Sequence, residues 1–344
     1  MTTPALSIVA PCFNETSCLE TLHARVSAAA RAAVGEDYEL VLVDDGSSDG
    51  TWPMMQRLAE GDPHLMAVSL SRNHGHQLAL TAGLDLCSGA RVLIIDADLQ
   101  DPPELLPAMM AEMDRQEADV VYGVRRSREG ESAFKLASAS LFYRGLSRLA
   151  EIEIPADVGD FRLMSRRALD ALLSLPEEAR FIRGMVAWIG FRQVPFLYDR
   201  QQRHSGRTKY PIRKMVRLAA DALTGFSTLP LRLAGHTAVV LALISLALLG
   251  YIVLRWWTGD TVQGWPSVMV VVTGLGAAQM LALATIGEYL GRVYVEVKRR
   301  PLYIVSEIAG REPSRPALGH VAHASREISA SSDSPGGSGT RPTA

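Results

Sequence analysis

Over the first 230 residues, short runs rich in Val, Ile and Leu alternate with amphipathic stretches. The runs at 6–11, 39–43, 65–70, 91–95 and 119–123 read as strands, and the stretches at 19–33, 51–60, 77–87 and 103–116 as helices. Strand and helix in strict alternation predict a parallel, doubly wound α/β sheet, apolar because both faces are covered. Such sheets bind ligands outside the carboxyl ends of their strands. In this chain the polar clusters fall at those ends.

Composition shifts near residue 230. Residues 234–254 carry one side chain that can be charged near neutral pH, His236, and residues 268–283 carry none; the apolar pattern continues to Leu290 with a single acid, Glu288. About 20 residues at 1.5 Å each span the ~30 Å hydrocarbon layer. Two such runs, flanked by Trp256, Trp257 and Trp265, are expected to be transmembrane helices. Arg232 on one side and Arg292, Lys298, Arg299 and Arg300 on the other outweigh the loop between them. By the positive-inside rule both ends of the pair are therefore cytosolic. No basic, apolar leader precedes the run at 6–11, so the N-terminal half is expected in the cytosol.

Between 134 and 233 the chain is basic and is expected to be mostly helical. In 211–233, Arg213, Lys214 and Arg217 interleave with Ile212, Met215, Val216 and Leu218, a pattern for a helix lying in a membrane interface or packed on the domain with a solvated basic face. The divisions expected are 1–210 as a catalytic domain, 211–233 as an amphipathic juxtamembrane helix, 234–292 as a two-helix membrane hairpin, 293–310 as a cytosolic juxtamembrane segment, and 311–344, rich in Ser, Gly and Pro, as a disordered tail. Lys plus Arg number 35 against 37 for Asp plus Glu, which gives no reason to expect a nucleic-acid partner. Three cysteines, an odd count without zinc-site spacing, argue against a disulfide framework or structural zinc.

The strongest local pattern is Asp96-Ala97-Asp98-Leu99-Gln100-Asp101-Pro102-Pro103, directly after a strand. Carboxylates at i and i+2 there can converge on a hard divalent ion, and Mg²⁺ prefers one or two carboxylates plus waters and substrate phosphates. The alternative is an acidic turn before a helix cap. A second cluster is Asp44-Asp45-Gly46-Ser47-Ser48-Asp49; capping needs only one acid, so the Asp44/Asp45 pair is more than capping requires, and a carboxylate there can accept a uracil imide N–H or ribose hydroxyls. A third, Pro11-Cys12-Phe13-Asn14-Glu15, ends the first strand. Three acidic strand ends on one edge favour a nucleotide-diphosphate and metal site.

These three motifs resemble the signature of family 2 glycosyltransferases with the GT-A (Rossmann-like) fold. More narrowly, Gly123-Val124-Arg125-Arg126, Gly159-Asp160-Phe161-Arg162-Leu163, Arg203 with Gly206, Thr208, Lys209 and Tyr210, and the helix ending Gly287-Glu288-Tyr289-Leu290-Gly291-Arg292 are similar to polyprenyl-phosphate glycosyltransferases. That group includes dolichyl-phosphate mannose synthases and the bacterial bactoprenol glucosyltransferases, and the resemblance runs over about 5–308. It implies that Pro11, Phe13, Glu15, Val43, Asp45 and Ala97 hold the donor, with Arg125, Arg203 and Lys209 neutralising its phosphates. It further implies that Asp96 and Asp98, with Gln100 nearby, hold the metal, Mg²⁺ or Mn²⁺, and that Arg125, Lys135 and Ser138 take the lipid phosphate. Phe13 stands where relatives often carry Tyr, and Lys135 where Arg is common, which weakens a bidentate phosphate contact. Asp157 is assigned to the active-site edge with a catalytic role, although it and Asp160 could equally be caps.

The expected reaction is an inverting transfer of a sugar, glucose first, from a UDP-sugar to undecaprenyl phosphate, by a homo-oligomer in the cytoplasmic membrane with its catalytic domain and both termini cytosolic. Alternatives are N-acetylglucosamine or a 4-amino-arabinose derivative as the sugar, or a membrane scaffold or transporter with a nucleotide-binding domain. A Gln-x-x-Arg-Trp motif, usual in processive family 2 synthases, is absent.

Overall fold

The computed structural model describes residues 3–126, 158–199, 229–258, 264–313 and 320–321. Its centre is four parallel strands, β1 (Leu6–Cys12), β2 (Tyr38–Asp44), β3 (Leu65–Leu70) and β4 (Arg91–Ile94). Between them run helices α1 (Leu19–Val34), α2 (Thr51–Gly61) and α3 (His76–Leu86). A 3₁₀ turn (Pro103–Leu105) and α4 (Leu106–Arg115) lead to β5 (Val120–Arg125). After it come β6 (Val158–Ser165), α5 (Arg166–Leu173), α6 (Ile182–Trp188), β7 (Gln193–Tyr198), the long helices α7 (Leu229–Trp257) and α8 (Trp265–Lys298), β8 (Ile304–Gly310) and β9 (His320–Val321).

Every residue of β1 and β2 is buried. Alternate side chains go to opposite faces. Ile8, Leu40 and Leu42 pack with Leu19, Leu22 and Val26 of α1, Met55 of α2 and Met109 of α4. Val9, Val41 and Val43 pack on the other face with Leu80 and Leu84 of α3, Leu169 of α5 and Met185 of α6. Each such burial contributes about 1.5–3 kcal/mol.

The expectation of an all-parallel sheet is corrected. The order is β7-β5-β6-β4-β1-β2-β3-β8-β9, and the sheet is mixed. β6 inserts between β4 and β5 and runs antiparallel to both, and β8 lies antiparallel along β3. The stretch expected to be mostly helical thus supplies β6 and β7. Their sequences hid them. β6 carries Asp160 and Arg162 at buried positions, and β7 contains Pro195. Residues 304–310, assigned by sequence to a juxtamembrane segment, are a strand of the main sheet.

The chain after the long helices is bound closely to the domain. The Tyr303 hydroxyl donates to Asp85 Oδ2 at 2.5 Å. Trp52 Nε1 and Gln56 Nε2 donate to Glu307 at 3.3 and 2.9 Å. Arg311 reaches the fully buried Glu39, which also accepts from Ser7 Oγ at 2.7 Å and from the Ser88 amide. Gly310, at φ +80°, permits this return: a Cβ there would stand 2.4 Å from the Leu65 carbonyl oxygen.

α7 and α8 line a common cleft through Leu233, Thr237, Leu241, Leu275, Gln279 and Ala282. Away from it they expose Val240, Leu243, Leu246, Leu283 and Leu290, among others. Counting described residues alone, no helix is long and apolar enough to cross a membrane. Residues 211–228, expected at the membrane interface, and the tail from 322 onward lie outside the described residues.

At the end of α2, buried Asp62 joins three elements, accepting from the His64 amide at 2.9 Å and meeting the His23 ring at 2.8 Å. Burial alone would raise its pKa, but these partners outweigh burial and hold the carboxyl below its ordinary range. A carboxyl lowered in the folded state stabilises above the unfolded value of ~3.9 and loses that contribution as pH falls further. The stability difference between wild type and Asp62→Asn should therefore shrink below about pH 4, measured as thermal midpoints from pH 3 to 7. A difference that stays constant across this range would rule out the ionised carboxylate as the source.

Candidate active site

β2 and β3 extend the sheet to one side of β1, whereas β4 lies on the other. That reversal opens a crevice at the carboxyl ends of β1 and β4, where doubly wound sheets bind ligands. The loops after β1, β2, β3 and β4 meet there.

The first two loops are laced together. The Asn14 amide donates to Ser47 Oγ and the Ser48 amide donates to Asn14 Oδ1, both at 2.9 Å. The Glu15 amide donates to Thr51 Oγ1 at 3.0 Å, and Asp49 accepts from the Thr51 amide and hydroxyl at the start of α2. Asn14 holds a left-handed φ of 57°. Asp44 accepts from the Ser47 amide at 3.2 Å, and burial pushes its carboxyl up. Asp45, also buried, accepts from the amides of His74 (2.7 Å) and Gly75 (2.9 Å), so both its oxygens grip the loop after β3. Gly46 is required beside it: at φ +67°, a Cβ would lie 2.6 Å from the Arg72 carbonyl carbon and the Asn73 nitrogen. Pro11 and Val43 are buried at the strand ends, while Phe13 leaves 48% of its surface exposed over the crevice edge.

The loop after β4 holds the acids. Leu99 takes φ +59°, unusual for a branched residue, and Asp98 Oδ1 accepts from the Gln100 amide at 3.1 Å. Ala97 is buried. His76, the first residue of α3, sets Nε2 3.4 Å from Asp96 Oδ1 and 3.2 Å from Asp160 Oδ2. Arg183 of α6 grips Asp160 with both arms, at 2.9 and 3.2 Å, and Gln77 adds a contact at 3.3 Å. The ligand-type atoms of His76, Asp96 and Asp160 lie within 4.8 Å of one another.

Charges here are strongly perturbed. Burial, with the charges of Asp160, Asp101 and Asp98, pushes Asp96 up to about 6, although His76 opposes it. Burial opposes ionisation of Asp160 too, but His76 and Arg183 hold that carboxyl well below the usual range. For His76 the desolvation cost is outweighed by the two acids, which raise its pKa. Arg162, buried beneath Asp160, falls to about 10.

A second polar chain starts in the same loop. Tyr198 at the end of β7 donates to buried Asp101 Oδ1 at 2.5 Å, and its hydroxyl also engages Arg125 at the end of β5. Arg125 Nε is buried without a hydrogen bond among the described residues.

Of the residues singled out by sequence, Pro11, Phe13, Glu15, Val43, Asp45, Asp96, Ala97, Asp98, Gln100 and Arg125 belong to strand ends or loops on this edge. Lys135, Ser138, Asp157, Arg203 and Lys209 lie outside the described residues. Sequence reasoning passed over His76, Gln77, Arg183 and Tyr198, and gave Asp160, although it lies in a motif that carries the resemblance, no role beyond a cap. The signal available was the polar run Ser71-Arg72-Asn73-His74-Gly75-His76, a fourth polar strand end like the other three.

Asp45→Ala is expected to loosen the loop after β3. Hydrogen exchange at the His74 and Gly75 amides should accelerate by ten-fold or more, in line with about 1.5 kcal/mol or more for a lost charge-assisted bond. Unchanged protection would mean that other contacts hold the loop.

The family profile described as "Glycosyl transferase family 2" matches residues 7–173. An uncharacterized glycosyltransferase of Synechocystis sp. is 43% identical over 308 residues, 89% of this chain and 96% of that protein. The SfII prophage-derived bactoprenol glucosyl transferase of Shigella flexneri is 36% identical over 303 residues, 88% of this chain and 97% of that protein. A crystal structure of glucosyl-3-phosphoglycerate synthase from Mycobacterium tuberculosis with Mn²⁺ and UDP is 21% identical at a TM-score of 0.44, covering 64% of this chain and 78% of that chain.

Proposed function

The chain belongs to glycosyltransferase family 2, and from that premise we propose an inverting transfer of a hexosyl group, glucose first, from a UDP-sugar to undecaprenyl or a related polyprenyl phosphate. One observation carries this reading. The relative named as a bactoprenol glucosyl transferase aligns over 97% of its own length, so the likeness extends well beyond the catalytic domain. The apolar surface of α7 and α8 supports the lipid part: monomeric soluble proteins rarely expose contiguous apolar patches above a few hundred Å². In this reading α7 and α8 form a hairpin in the cytoplasmic membrane, with the sheet domain on the cytosolic side.

The chemistry suits the residues present. A phosphate monoester is already largely anionic near neutral pH, its second pKa being about 6. The acceptor oxygen therefore needs positioning and charge screening more than a general base. It attacks the anomeric carbon as the bond from that carbon to the UDP oxygen breaks, which inverts the centre. Asp96 and Asp98, both half-buried on the loop after β4, supply the hard anionic oxygens that a divalent cation takes. When bound, Mg²⁺ or Mn²⁺ supplies Lewis-acid stabilisation of the departing diphosphate. Phe13 offers a stacking surface for the base, and Glu15 and Asp45 acceptors for nucleoside donors. Arg125, with Lys135 and Ser138, takes the acceptor phosphate, and Arg203 and Lys209 the diphosphate.

The test is a radiolabelled UDP-glucose assay with undecaprenyl phosphate, reading label in the organic phase. Label should partition there, and a panel of nucleotide sugars should rank UDP-glucose first. Retention of label in water with every donor would overturn the reading. Asp98→Ala should lower transfer roughly 100-fold or more, even at saturating metal.

A further inference from the structure

Three side chains at the crevice, His76, Asp96 and Asp160, have the composition of a cation site. Their surroundings give them another task. Asp160 is a saturated carboxylate: Oδ1 accepts from Arg183 Nε, and Oδ2 is approached by Arg183 Nη2, Gln77 Nε2 and His76 Nε2. It is 2% exposed and lies over the buried Arg162, whose Nη2 donates to the Gly159 carbonyl at 2.9 Å. A cation at Asp160 would have to displace donors that already neutralise it, and would do so next to two guanidinium groups. Asp96 differs. It is partly exposed, and among the described residues its Oδ1 makes no full hydrogen bond but is approached at 3.4 Å by His76 Nε2, the nitrogen that also faces Asp160 Oδ2 at 3.2 Å.

We propose that His76 is a positioning residue, fixed by Asp160 and Arg183, that holds Asp96 through Oδ1 and leaves its other oxygen, with Asp98, to take the divalent ion. The anchor extends through α3 into α6. Gln77, next to His76, donates to Asp160, and its Oε1 accepts the Ile182 amide at 3.0 Å, satisfying an N-terminal donor of α6. Arg183 is the next residue of that helix. The line Arg183–Asp160–His76–Asp96 thus joins α6, β6, α3 and the loop after β4. Partners behind a metal ligand typically change metal affinity by about 10–100-fold when removed.

The inference rests on the reading that Asp96 and Asp98 face the donor diphosphate and its ion. It is tested with full-length protein, UDP and Mn²⁺ by electron paramagnetic resonance. Wild type should bind Mn²⁺ without the electron-spin-echo modulation of a directly bound histidine nitrogen. His76→Ala should weaken Mn²⁺ binding about 10-fold while leaving the affinity for uridine, measured without metal, unchanged. His76→Gln, which keeps a side-chain N–H, should recover part of the loss. In turnover, His76→Ala should lower kcat and raise the Mn²⁺ concentration for half-maximal rate more than KM for the donor. Histidine-nitrogen modulation in wild type that His76→Ala removes would make His76 a ligand and overturn the proposal. So would wild-type Mn²⁺ affinity in a His76→Ala protein with an unchanged thermal midpoint. Wild type that binds no Mn²⁺ with UDP would instead sink the site assignment beneath it.

Discussion

The antiparallel register of β6 against β4 is the constraint on which the site depends. Arg91 pairs with Ser165 and Ile94 with Arg162. Continued two residues past the end of β4, that register sets Asp96 opposite Asp160. A parallel neighbour would have presented its carboxyl end at this edge, and with it another βα loop. The antiparallel strand brings its amino end instead, so Asp160 enters the crevice from a buried, hydrogen-bonded ladder. Such a carboxylate is costly to bury unless its charge is met. His76, Arg183 and Gln77 meet it, and in doing so join three elements distant in sequence.

How much of this was legible in the sequence follows from the range of the interactions. The strands β1 to β4 show as apolar runs because both faces are covered, and Asp44, Asp45, Asp96 and Asp98 show because acids at strand ends stand out against such runs. β6 did not show. Its alternation of Asp160, Arg162 and Met164 on one face mixes charge with apolar residues, and it is partners distant in sequence, His76 and Gln77 before it and Arg183 after it, that make the Asp160 charge compatible with burial. His76 was hidden for a similar reason. Its role depends on the register of two strands that are 67 residues apart by their starts, β4 at Arg91 and β6 at Val158, and no local periodicity reports that.

Backbone geometry divides the work at the crevice between rigid and strained parts. Asn14 and Leu99, both with positive φ, sit in the loops after β1 and β4, the two strands that flank the reversal. Non-glycine residues persist in that region only where surrounding contacts over-determine them. For Asn14 those contacts are its two bonds to the Ser47–Ser48 turn, and Leu99 is buried at 3% exposure. Between them Asp45 and Gly46 clamp the loop after β3, so the chain leading into His76 is fixed from behind. Preorganisation of this kind keeps charged groups in place without reorganisation when a substrate's charge shifts.

The C-terminal return extends the same logic to the long helices. α8 does not simply leave the domain. Glu296 near its end accepts the Glu178 amide at 2.9 Å, four residues before α6 begins. Tyr303 then bonds Asp85 of α3, and β8 pairs with β3. The segment carrying Arg183 and the helix that begins with His76 are thus the ones to which the base of the helix pair is tied. A flexible anchor would let the sheet domain tumble about a membrane. Attachment at Glu178, Asp85 and along β3 ties the base of the helices to the sheet domain at three places. If the acceptor phosphate is lipid-borne, as proposed, that attachment would set how the crevice faces the lipid, and it would do so through the helices that also position the acids.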